Sequence, residues 1–282
     1  MLRIAVPNKG SLSGPAAQIL HEAGYQQRKD AKQLVLADPG NDVEFFYLRP
    51  RDIAIYVSSG RLDLGITGRD LLLDSGTNAE EILPLGFARS TFRYAARPGT
   101  AREIADFDGL TIATSYEGIV AKHLADQGVA ASVVHLDGAV ETAIDLGVAQ
   151  VIADVVETGA SLRNAGLAVV GEPITTSEAI VVRRAGADAA DPSVRQFVRR
   201  LQGVLIARAY VMMDYHCRAG QLERAIALTP GLESPTVSPL HTEGWVAVRA
   251  MVPGKEAQRI MDGLYELGAR AILTTAMHAC RL

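Results

Sequence analysis

Residues 151–162 combine an apolar strand pattern, an acid and a run of small hydroxyl side chains. The strand ends in Asp154, and Thr158, Gly159 and Ser161 follow before a helix begins. Open parallel sheets bind ligands outside the carboxyl ends of their strands. A glycine there lets backbone N–H groups approach a phosphate, hydroxyls add donors, and an acid can accept hydrogen bonds from sugar hydroxyls. The spacing predicts a sugar-phosphate site, with a capped helix after a strand as the alternative.

Basic side chains follow three other predicted strands. They are Lys9, Arg49, Arg51 and Arg69. Each lies near the carboxyl end of its strand, at the edge where α/β sheets bind ligands. We therefore expect Lys9 and Arg49 to bind phosphate groups, followed by Arg69 with its neighbour Asp70. Solvated surface charges are the alternative interpretation for each of them.

The elements that must position these residues alternate between strand and short helix, which is typical of an α/β fold with a largely parallel sheet. The alternation changes at residues 88–96 and 176–183, where extended stretches run on without a helix between them. We expect these stretches to cross between two lobes. The first lobe is then discontinuous, over residues 1–89 and 180–208, and the second covers residues 90–179.

Two helix starts in this region have signals of their own. Ser115 precedes apolar residues at helical spacing, and Asp191 precedes Pro192 and a long apolar stripe. Serine and aspartate accept hydrogen bonds from the first free N–H groups of a helix, and proline is tolerated in the first turn. We expect both side chains to act as caps.

The last part of the chain, residues 209–282, has a different pattern. Strand, helix, two strands, helix and strand follow one another. This βαββαβ order predicts a ferredoxin-like unit, and its length suffices for a domain of its own.

Composition excludes several classes of function. The 282 residues carry 28 basic and 32 acidic side chains, a net charge of −4, so a globally basic surface for nucleic acid is absent. No apolar run reaches the length of a membrane span, and the N-terminus reads as a strand, so we expect a cytoplasmic protein. No histidine has the spacing of a metal-binding helix, and no serine or cysteine triad is recognisable.

The segment from Glu141 to Leu162 closely resembles the signature of the ATP phosphoribosyltransferase family, the first enzymes of histidine biosynthesis. The matching positions are Glu141, Gly147, Ala149, Ile152, Asp154, Thr158, Gly159 and Leu162, with Ser161 where threonine is usual. Further segments look like family segments in family order: residues 7–10, 48–52, 65–70, 92–94 and 230–236. The resemblance covers essentially the whole chain and is to the long form, which carries a histidine-sensing domain.

This resemblance implies a fold and a reaction. The fold is α/β, with two lobes resembling type II periplasmic binding proteins and a C-terminal ferredoxin-like regulatory domain. The N1 nitrogen of ATP attacks the anomeric carbon of phosphoribosyl pyrophosphate (PRPP), and pyrophosphate leaves. Both substrates are polyanions, so Mg²⁺ is the expected cofactor. The ribose gains positive charge as its bond stretches, which favours electrostatic stabilisation without a covalent intermediate.

The resemblance also implies roles for individual residues. The expected catalytic residues are Lys9, Arg49, Glu141 and Asp154. The expected PRPP residues are Asp154, Val155, Glu157, Thr158, Gly159, Ala160 and Ser161. The expected ATP residues are Lys9, Gly10, Leu12, Arg49, Gly68, Arg69, Asp70 and Tyr116. The residues expected to bind histidine as a feedback inhibitor are Asp214, His216, Leu232, Ser234, Thr236 and Ala271. Relatives often carry an acid at the place of His216, and an imidazole cannot pair with an ammonium, which predicts weaker inhibition.

The family forms dimers that assemble into hexamers, so a closed homo-oligomer is expected. Two other functions stay open on the sequence alone. A solute-binding module or effector lobe can share the two-lobed fold. A phosphoribosyltransferase acting on another base would need the same sugar-phosphate site.

Overall fold

A computed structural model describes residues 1–188 and 190–281, so positions 189 and 282 of the expected domain ranges lie outside it. The strands of the described residues are β1 Leu2–Pro7, β2 Val35–Asp38, β3 Val43–Leu48, β4 Leu64–Gly68, β5 Ala79–Pro84, β6 Ser90–Ala96, β7 Thr111–Thr114, β8 Ser132–His135, β9 Val151–Val156, β10 Ala168–Ser177, β11 Ala179–Arg184, β12 Tyr210–Arg218, β13 Thr236–Pro239, β14 Trp245–Pro253 and β15 Arg270–Ala276. The α-helices are α1 Ser13–Glu22, α2 Pro50–Ser58, α3 Arg69–Ser75, α4 Glu117–Gln127, α5 Thr142–Asp145, α6 Ala160–Asn164, α7 Pro192–Ala209, α8 Leu222–Leu228 and α9 Ala257–Glu266.

The first sheet has the strand order β2-β3-β1-β4-β11-β5. Its centre is parallel, because β1 pairs in parallel with both β3 and β4, whereas β11 returns antiparallel to β4. The side chains of Ile4, Phe45 and Leu64 on these strands are fully buried. Such continuous apolar strands are expected where helices cover both faces of a sheet.

The second sheet has the order β10-β6-β9-β7-β8. Here β7 is parallel to β8 and β9, and β6 is antiparallel to β9 and β10. Each sheet contains a strand that arrives from the other lobe and pairs antiparallel with both neighbours: β11 lies between β4 and β5, and β6 lies between β10 and β9. This confirms the predicted α/β class with two lobes.

The two crossing segments are hydrogen-bonded to each other. The Leu85 N–H donates to the Ala179 carbonyl at 2.8 Å, and the Ala179 N–H donates to the Phe87 carbonyl at 2.9 Å. The chain therefore crosses from one lobe to the other in two adjacent segments. The carboxyl ends of the lobe strands meet beside them.

The third sheet has the order β13-β14-β12-β15 and is antiparallel throughout. Along β12, Met213, Tyr215 and Cys217 are buried, while the residues between them are more exposed. The buried face packs with residues of α8 and α9, such as Ala225 and Leu264. The predicted βαββαβ unit is confirmed.

The chain divides into two compact units, at places that differ from the expected boundary at residue 209. Ile19–Gly24 and the residues from Arg195 onward form one unit, and Met1–Gln18 with Tyr25–Val194 form the other. The helix α7 is continuous across the division, and contacts of its later residues lie within the unit that begins at Arg195. Arg208 pairs with Glu22 at 2.8 Å, and the Gly203 carbonyl accepts a hydrogen bond from the Cys280 N–H at 3.2 Å.

The two predicted helix caps have different outcomes. Asp191 accepts hydrogen bonds from the N–H groups of Ser193 at 2.7 Å and Val194 at 3.4 Å, as expected. The expectation for Ser115 was wrong, because α4 begins after Tyr116 and has no cap from the adjacent sequence. Its free N–H groups bond to a carboxylate from α3, 44 positions away.

No helix in the described part of the chain is long and apolar enough to cross a bilayer.

Candidate active site

A cavity of about 290 Å³ lies in the larger unit, next to the strand crossing. Six of the residues predicted for ATP line it: Lys9, Gly10, Leu12, Gly68, Asp70 and Tyr116. Lys9 and Gly10 come from the loop after β1, and Gly68 and Asp70 come from the junction of β4 and α3. The parallel strands β1 and β4 therefore bring these residues to one edge, as the sequence indicated.

The same cavity has lining residues that the sequence reasoning missed. They are Ser11, Pro50, Leu71, Ala88, Ser90 and Ser177, whereas Val155 and Glu157, which also line it, were predicted for PRPP. Three of them, Ala88, Ser90 and Ser177, belong to the crossing segments. A signal for them existed, since the crossing was predicted at these positions and two-lobed folds place their cleft there.

Arg49 and Arg69 are not among the residues that line this cavity. The Arg69 guanidinium donates to both carboxylate oxygens of Glu81 at 2.8 Å and to Glu178 at 3.4 Å. These bonds raise the pKa of Arg69 further above its already high value, the bond to Glu81 being the main cause. Arg69 is thus engaged in a half-buried ion pair, and its predicted contact with ATP stays a prediction.

Asp70 and Tyr116 meet at the cavity wall. The Asp70 carboxylate lies close enough to the Tyr116 hydroxyl to affect its pKa, and the Tyr116 ring packs on Phe92 with the centroids 5.0 Å apart. Burial raises the pKa of Tyr116, and the negative charge of Asp70 raises it further. Tyr116 is therefore a neutral hydroxyl donor at physiological pH.

A second cavity, of about 420 Å³, surrounds the loop after β9. Glu141 lines it, and so do all seven residues predicted for PRPP. These are Asp154, Val155, Glu157, Thr158, Gly159, Ala160 and Ser161. Gly159 has a φ of +70° and immediately precedes α6. This left-handed conformation suits glycine and exposes successive N–H groups at the turn, the geometry that favours anions.

Asp154 is a half-buried residue in the lining of the second cavity. Burial raises the pKa of its carboxyl group, a bond from the Val155 N–H lowers it, and the charges of Glu141 and Asp70 raise it again. The Val155 N–H to Asp154 distance is 2.7 Å. The negative charges of Glu141 and Asp70 therefore repel the ionised Asp154 carboxylate, and a bound cation or hydrogen-bond donor would reduce this repulsion.

The two cavities adjoin, since Val155 and Glu157 line both of them. A molecule bound at the Gly159 turn and another bound beside Tyr116 would meet at these two residues. The arrangement can therefore bring two anionic substrates into contact, and Lys9 lines the first of the two cavities.

The residues predicted for histidine lie in the C-terminal unit. Leu232, Ser234 and Thr236 line a third cavity of about 220 Å³, together with Arg249. Asp214 does not line it but pairs with Arg249 at 2.6 Å.

The other two residues of this group, His216 and Ala271, are not among the lining residues. His216 follows Asp214 on the same, less buried face of β12. The pairing of β12 with β15 shifts between these two residues, and Ala271, close to the shift, has a φ of +49°. An alanine in this region is uncommon and is a sign of local backbone strain.

A two-lobed α/β fold with two adjoining cavities, one of them at a glycine turn beside an acid, suits an enzyme that transfers a group between two bound molecules. The family model described as "ATP phosphoribosyltransferase" matches residues 49–203, and the model "HisG, C-terminal domain" matches residues 207–279. The chain belongs to the ATP phosphoribosyltransferase family, in its long form.

Individual relatives agree with this assignment. The ATP phosphoribosyltransferases of Streptomyces avermitilis and Streptomyces coelicolor are 79% and 78% identical over 285 residues, covering 100% of both chains. Among solved structures, the "ATP phosphoribosyl transferase (HisG:HisZ) complex from Thermotoga maritima" matches with a TM-score of 0.63 and 24% identity, over 72% of this chain and 97% of that chain. The enzyme catalyses the first step of histidine biosynthesis, with ATP and PRPP as its substrates.

Proposed function

We propose that PRPP occupies the second cavity and ATP the first, so that adenine N1 reaches the anomeric carbon where the cavities adjoin. The single observation that carries this proposal is that Val155 and Glu157 line both cavities. The alternative of a solute-binding module needs only one ligand site and leaves the adjoining cavity unexplained.

The second cavity suits the ribose 5-phosphate part of PRPP. The N–H groups at Gly159 and Ala160 and the hydroxyls of Thr158 and Ser161 bind the 5′-phosphate, since they are donors at a strand end. Asp154 accepts hydrogen bonds from the ribose diol. Glu141 lies close enough to affect the charge of Asp154, and it orients the ribose or a metal ion.

The first cavity suits ATP. Lys9 is exposed at its rim and neutralises phosphate charge. The Tyr116 ring and the Leu12 side chain border the adenine, because they supply the apolar walls beside Asp70. Arg49 and Arg69 stay predicted ATP ligands on the resemblance alone.

The reaction needs little covalent help from the protein. The carbon–oxygen bond to pyrophosphate breaks as N1 approaches, the electron pair leaves with pyrophosphate, and the ribose carries positive charge in between. Asp154 and Glu141, which both line the second cavity, stabilise that charge electrostatically. Lys9 draws the two polyanions together.

A divalent metal cofactor is consistent with the family, and we propose that it is Mg²⁺. No group of three or more acidic, histidine or cysteine side chains that could hold a metal occurs among residues 1–188 and 190–281. This fits Mg²⁺, which binds through one or two carboxylates plus substrate phosphates. Glu141 and Asp154 are the carboxylates that would hold it, and when bound it would neutralise the leaving pyrophosphate.

Regulation and assembly belong to the same proposal. Histidine binds as a feedback inhibitor at the third cavity, where Ser234, Thr236 and Arg249 supply polar groups. The Thermotoga maritima relative is described as a complex, which supports oligomerisation here. The proposed form, a dimer that assembles into a hexamer, is the one that the family resemblance implies. The substrates are soluble metabolites, which supports a cytoplasmic enzyme that binds neither nucleic acid nor membrane.

The test uses the near-ultraviolet absorbance that adenine gains when N1 is substituted, with ATP, PRPP and Mg²⁺ present. Lys9→Met is expected to raise KM for ATP about tenfold, and Ser161→Ala to raise KM for PRPP about tenfold, as the loss of one charge-assisted bond predicts. Lys122→Met and Ser132→Ala are matched controls on exposed positions and should leave both constants unchanged. Turnover with another base but not with ATP would contradict the proposal, as would ligand binding without any turnover.

A further inference from the structure

The N-terminus of α4 is capped by a residue of another element. The Asp74 carboxylate of α3 accepts hydrogen bonds through Oδ1 from the N–H groups of Gly118 at 2.9 Å and Ile119 at 3.2 Å. Asp74 belongs to the lobe of the first sheet and α4 to the lobe of the second. One side chain therefore connects the two lobes beside the first cavity.

The second oxygen of the same carboxylate binds Arg51. Its Oδ2 accepts from Arg51 Nη1 at 2.9 Å, and the Asp74 side chain is only 9% exposed. The Arg51 guanidinium carbon lies 4.9 Å from the centre of the Tyr116 ring, within the range of a cation–π contact. Asp74 thus binds both the first turn of α4, which follows Tyr116, and the Arg51 guanidinium, which lies over the Tyr116 ring.

The junction leaves no spare room at Gly118. A Cβ atom added there would lie 2.3 Å from the Asp74 carbonyl oxygen, a distance that real Cβ atoms do not show. The α3 backbone therefore contacts the first turn of α4 directly, and the carboxylate reaches the N–H groups without a bridging molecule.

We propose that Asp74 is a positioning residue for the nucleotide site, acting through Arg51 and α4 on Tyr116. The inference rests on the proposal that ATP occupies the cavity that Tyr116 lines. Asp74 and Arg51 do not line that cavity, so Asp74 acts without touching the substrate. Its buried charge is compensated by the Arg51 guanidinium and by the positive end of α4.

Asp74→Asn separates the two contacts. The amide oxygen still accepts from the Gly118 and Ile119 N–H groups, but the amide nitrogen cannot accept from Arg51. We expect KM for ATP to rise roughly tenfold, with kcat and KM for PRPP within about twofold of the wild type. Arg51→Lys keeps the ion pair but loses the planar cation over the ring, so it should fall between the wild type and Asp74→Asn.

A second measurement uses hydrogen exchange. Asp74→Ala removes both contacts and should speed exchange of the Gly118 and Ile119 amides, whereas Asp74→Asn should leave these two amides protected. Asp126→Asn is the matched control, because Asp126 lies on α4 in an exposed pair with Lys122. It should change neither KM nor exchange at the start of the helix.

Each outcome separates this inference from the assignment of the ATP site. If Lys9→Met raises KM for ATP and Asp74→Asn does not, the positioning role is wrong and the ATP site stands. The positioning role is also overturned if Asp74→Asn raises KM for ATP and KM for PRPP equally. The same holds if this variant lowers the melting temperature and leaves both KM values unchanged. If Asp74→Asn raises KM for ATP and Lys9→Met does not, the role of Asp74 stands and that of Lys9 fails. If neither variant changes it, both assignments fail.

Discussion

The Ser177 hydroxyl donates a hydrogen bond of 2.7 Å to the carboxylate of Asp70, 107 positions away in the sequence. The Asp70 N–H donates to the same hydroxyl oxygen at 3.0 Å, and both residues are buried. Asp70 lies in the first turn of α3 and Ser177 ends β10, so this pair ties the wall of the first cavity to the strand crossing.

Replacing Ser177 with alanine should therefore destabilise the protein. Asp70 loses one donor while it stays buried, and a buried group left without its partner costs about 1–3 kcal/mol. Urea unfolding of Ser177→Ala checks this. Ser132→Ala, at an exposed serine, should stay within about 0.5 kcal/mol of the wild type. Equal stability of the two variants would contradict the importance of the Asp70–Ser177 pair.

The raised pKa of Asp154 predicts two pH dependences of opposite sign. In the unfolded chain the pKa of an aspartate is about 3.9, whereas burial raises the pKa of Asp154 in the folded protein. The folded state then binds more protons than the unfolded state between these two values. The free energy of unfolding should fall as the pH rises through that window and level off above it.

Binding of PRPP should change in the other direction. The ionised carboxylate is the better acceptor for the ribose diol, so affinity should rise as the pH rises through the folded pKa of Asp154. In Asp154→Asn both slopes should be lost, and PRPP should bind weakly at every pH. Urea unfolding and calorimetric titration over a pH series measure the two quantities. A variant that keeps wild-type activity would remove the assigned role.

Gly159→Ala should impair PRPP binding specifically. Its φ of +70° is unfavourable for alanine, at about 1–2 kcal/mol, and the new Cβ would lie 3.1 Å from Arg163 Nη1. Gly166→Ala is the matched control, since Gly166 has a φ of +66° with no atom within 4 Å. Both variants should lose similar stability, but only Gly159→Ala should raise KM for PRPP. A similar KM in the two variants would contradict the phosphate role of the turn.

Arg69→Gln distinguishes an ion pair from an ATP ligand. It leaves Glu81 and Glu178, whose side chains are 28% and 18% exposed, without their shared cation, which should cost about 1–3 kcal/mol. Arg97→Gln breaks a pair in which both side chains are exposed and should cost under about 1 kcal/mol. Thermal unfolding measures the difference. A raised KM for ATP with unchanged stability would instead support the predicted ATP contact.

The resemblance places His216 at the histidine site, although His216 does not line the third cavity. If it contacts the α-ammonium group, His216→Asp should strengthen histidine binding, because a carboxylate pairs with an ammonium and an imidazole does not. His241→Asp makes the same change in charge at an exposed position of the same unit and should have no effect. Calorimetric titration with histidine compares the variants. Equal affinities would place the amino group elsewhere, and a wild-type dissociation constant beyond millimolar would count against sensing by this unit.

The sequence alone determined the alternation of elements and the loop at Asp154–Ser161. Both depend on neighbours along the chain: apolar periodicity selects strand or helix, and the strand end, the glycine and the two hydroxyls lie within one short segment that supplies most of the lining of the second cavity. Lys9 and Asp70 were also foreseen, because parallel strands bring their carboxyl ends to one edge, whereas Gly68 was expected only from the family resemblance.

Only the tertiary structure decided which polar groups pair over long separations. Ser177 with Asp70, Arg69 with Glu178 and Asp74 with the start of α4 are 107, 109 and 44 positions apart. Such pairs depend on how the crossing segments set the lobes and on strand register, which no local pattern specifies. For the same reason Ser115 looked like the cap of α4, although a carboxylate from the other lobe occupies that place.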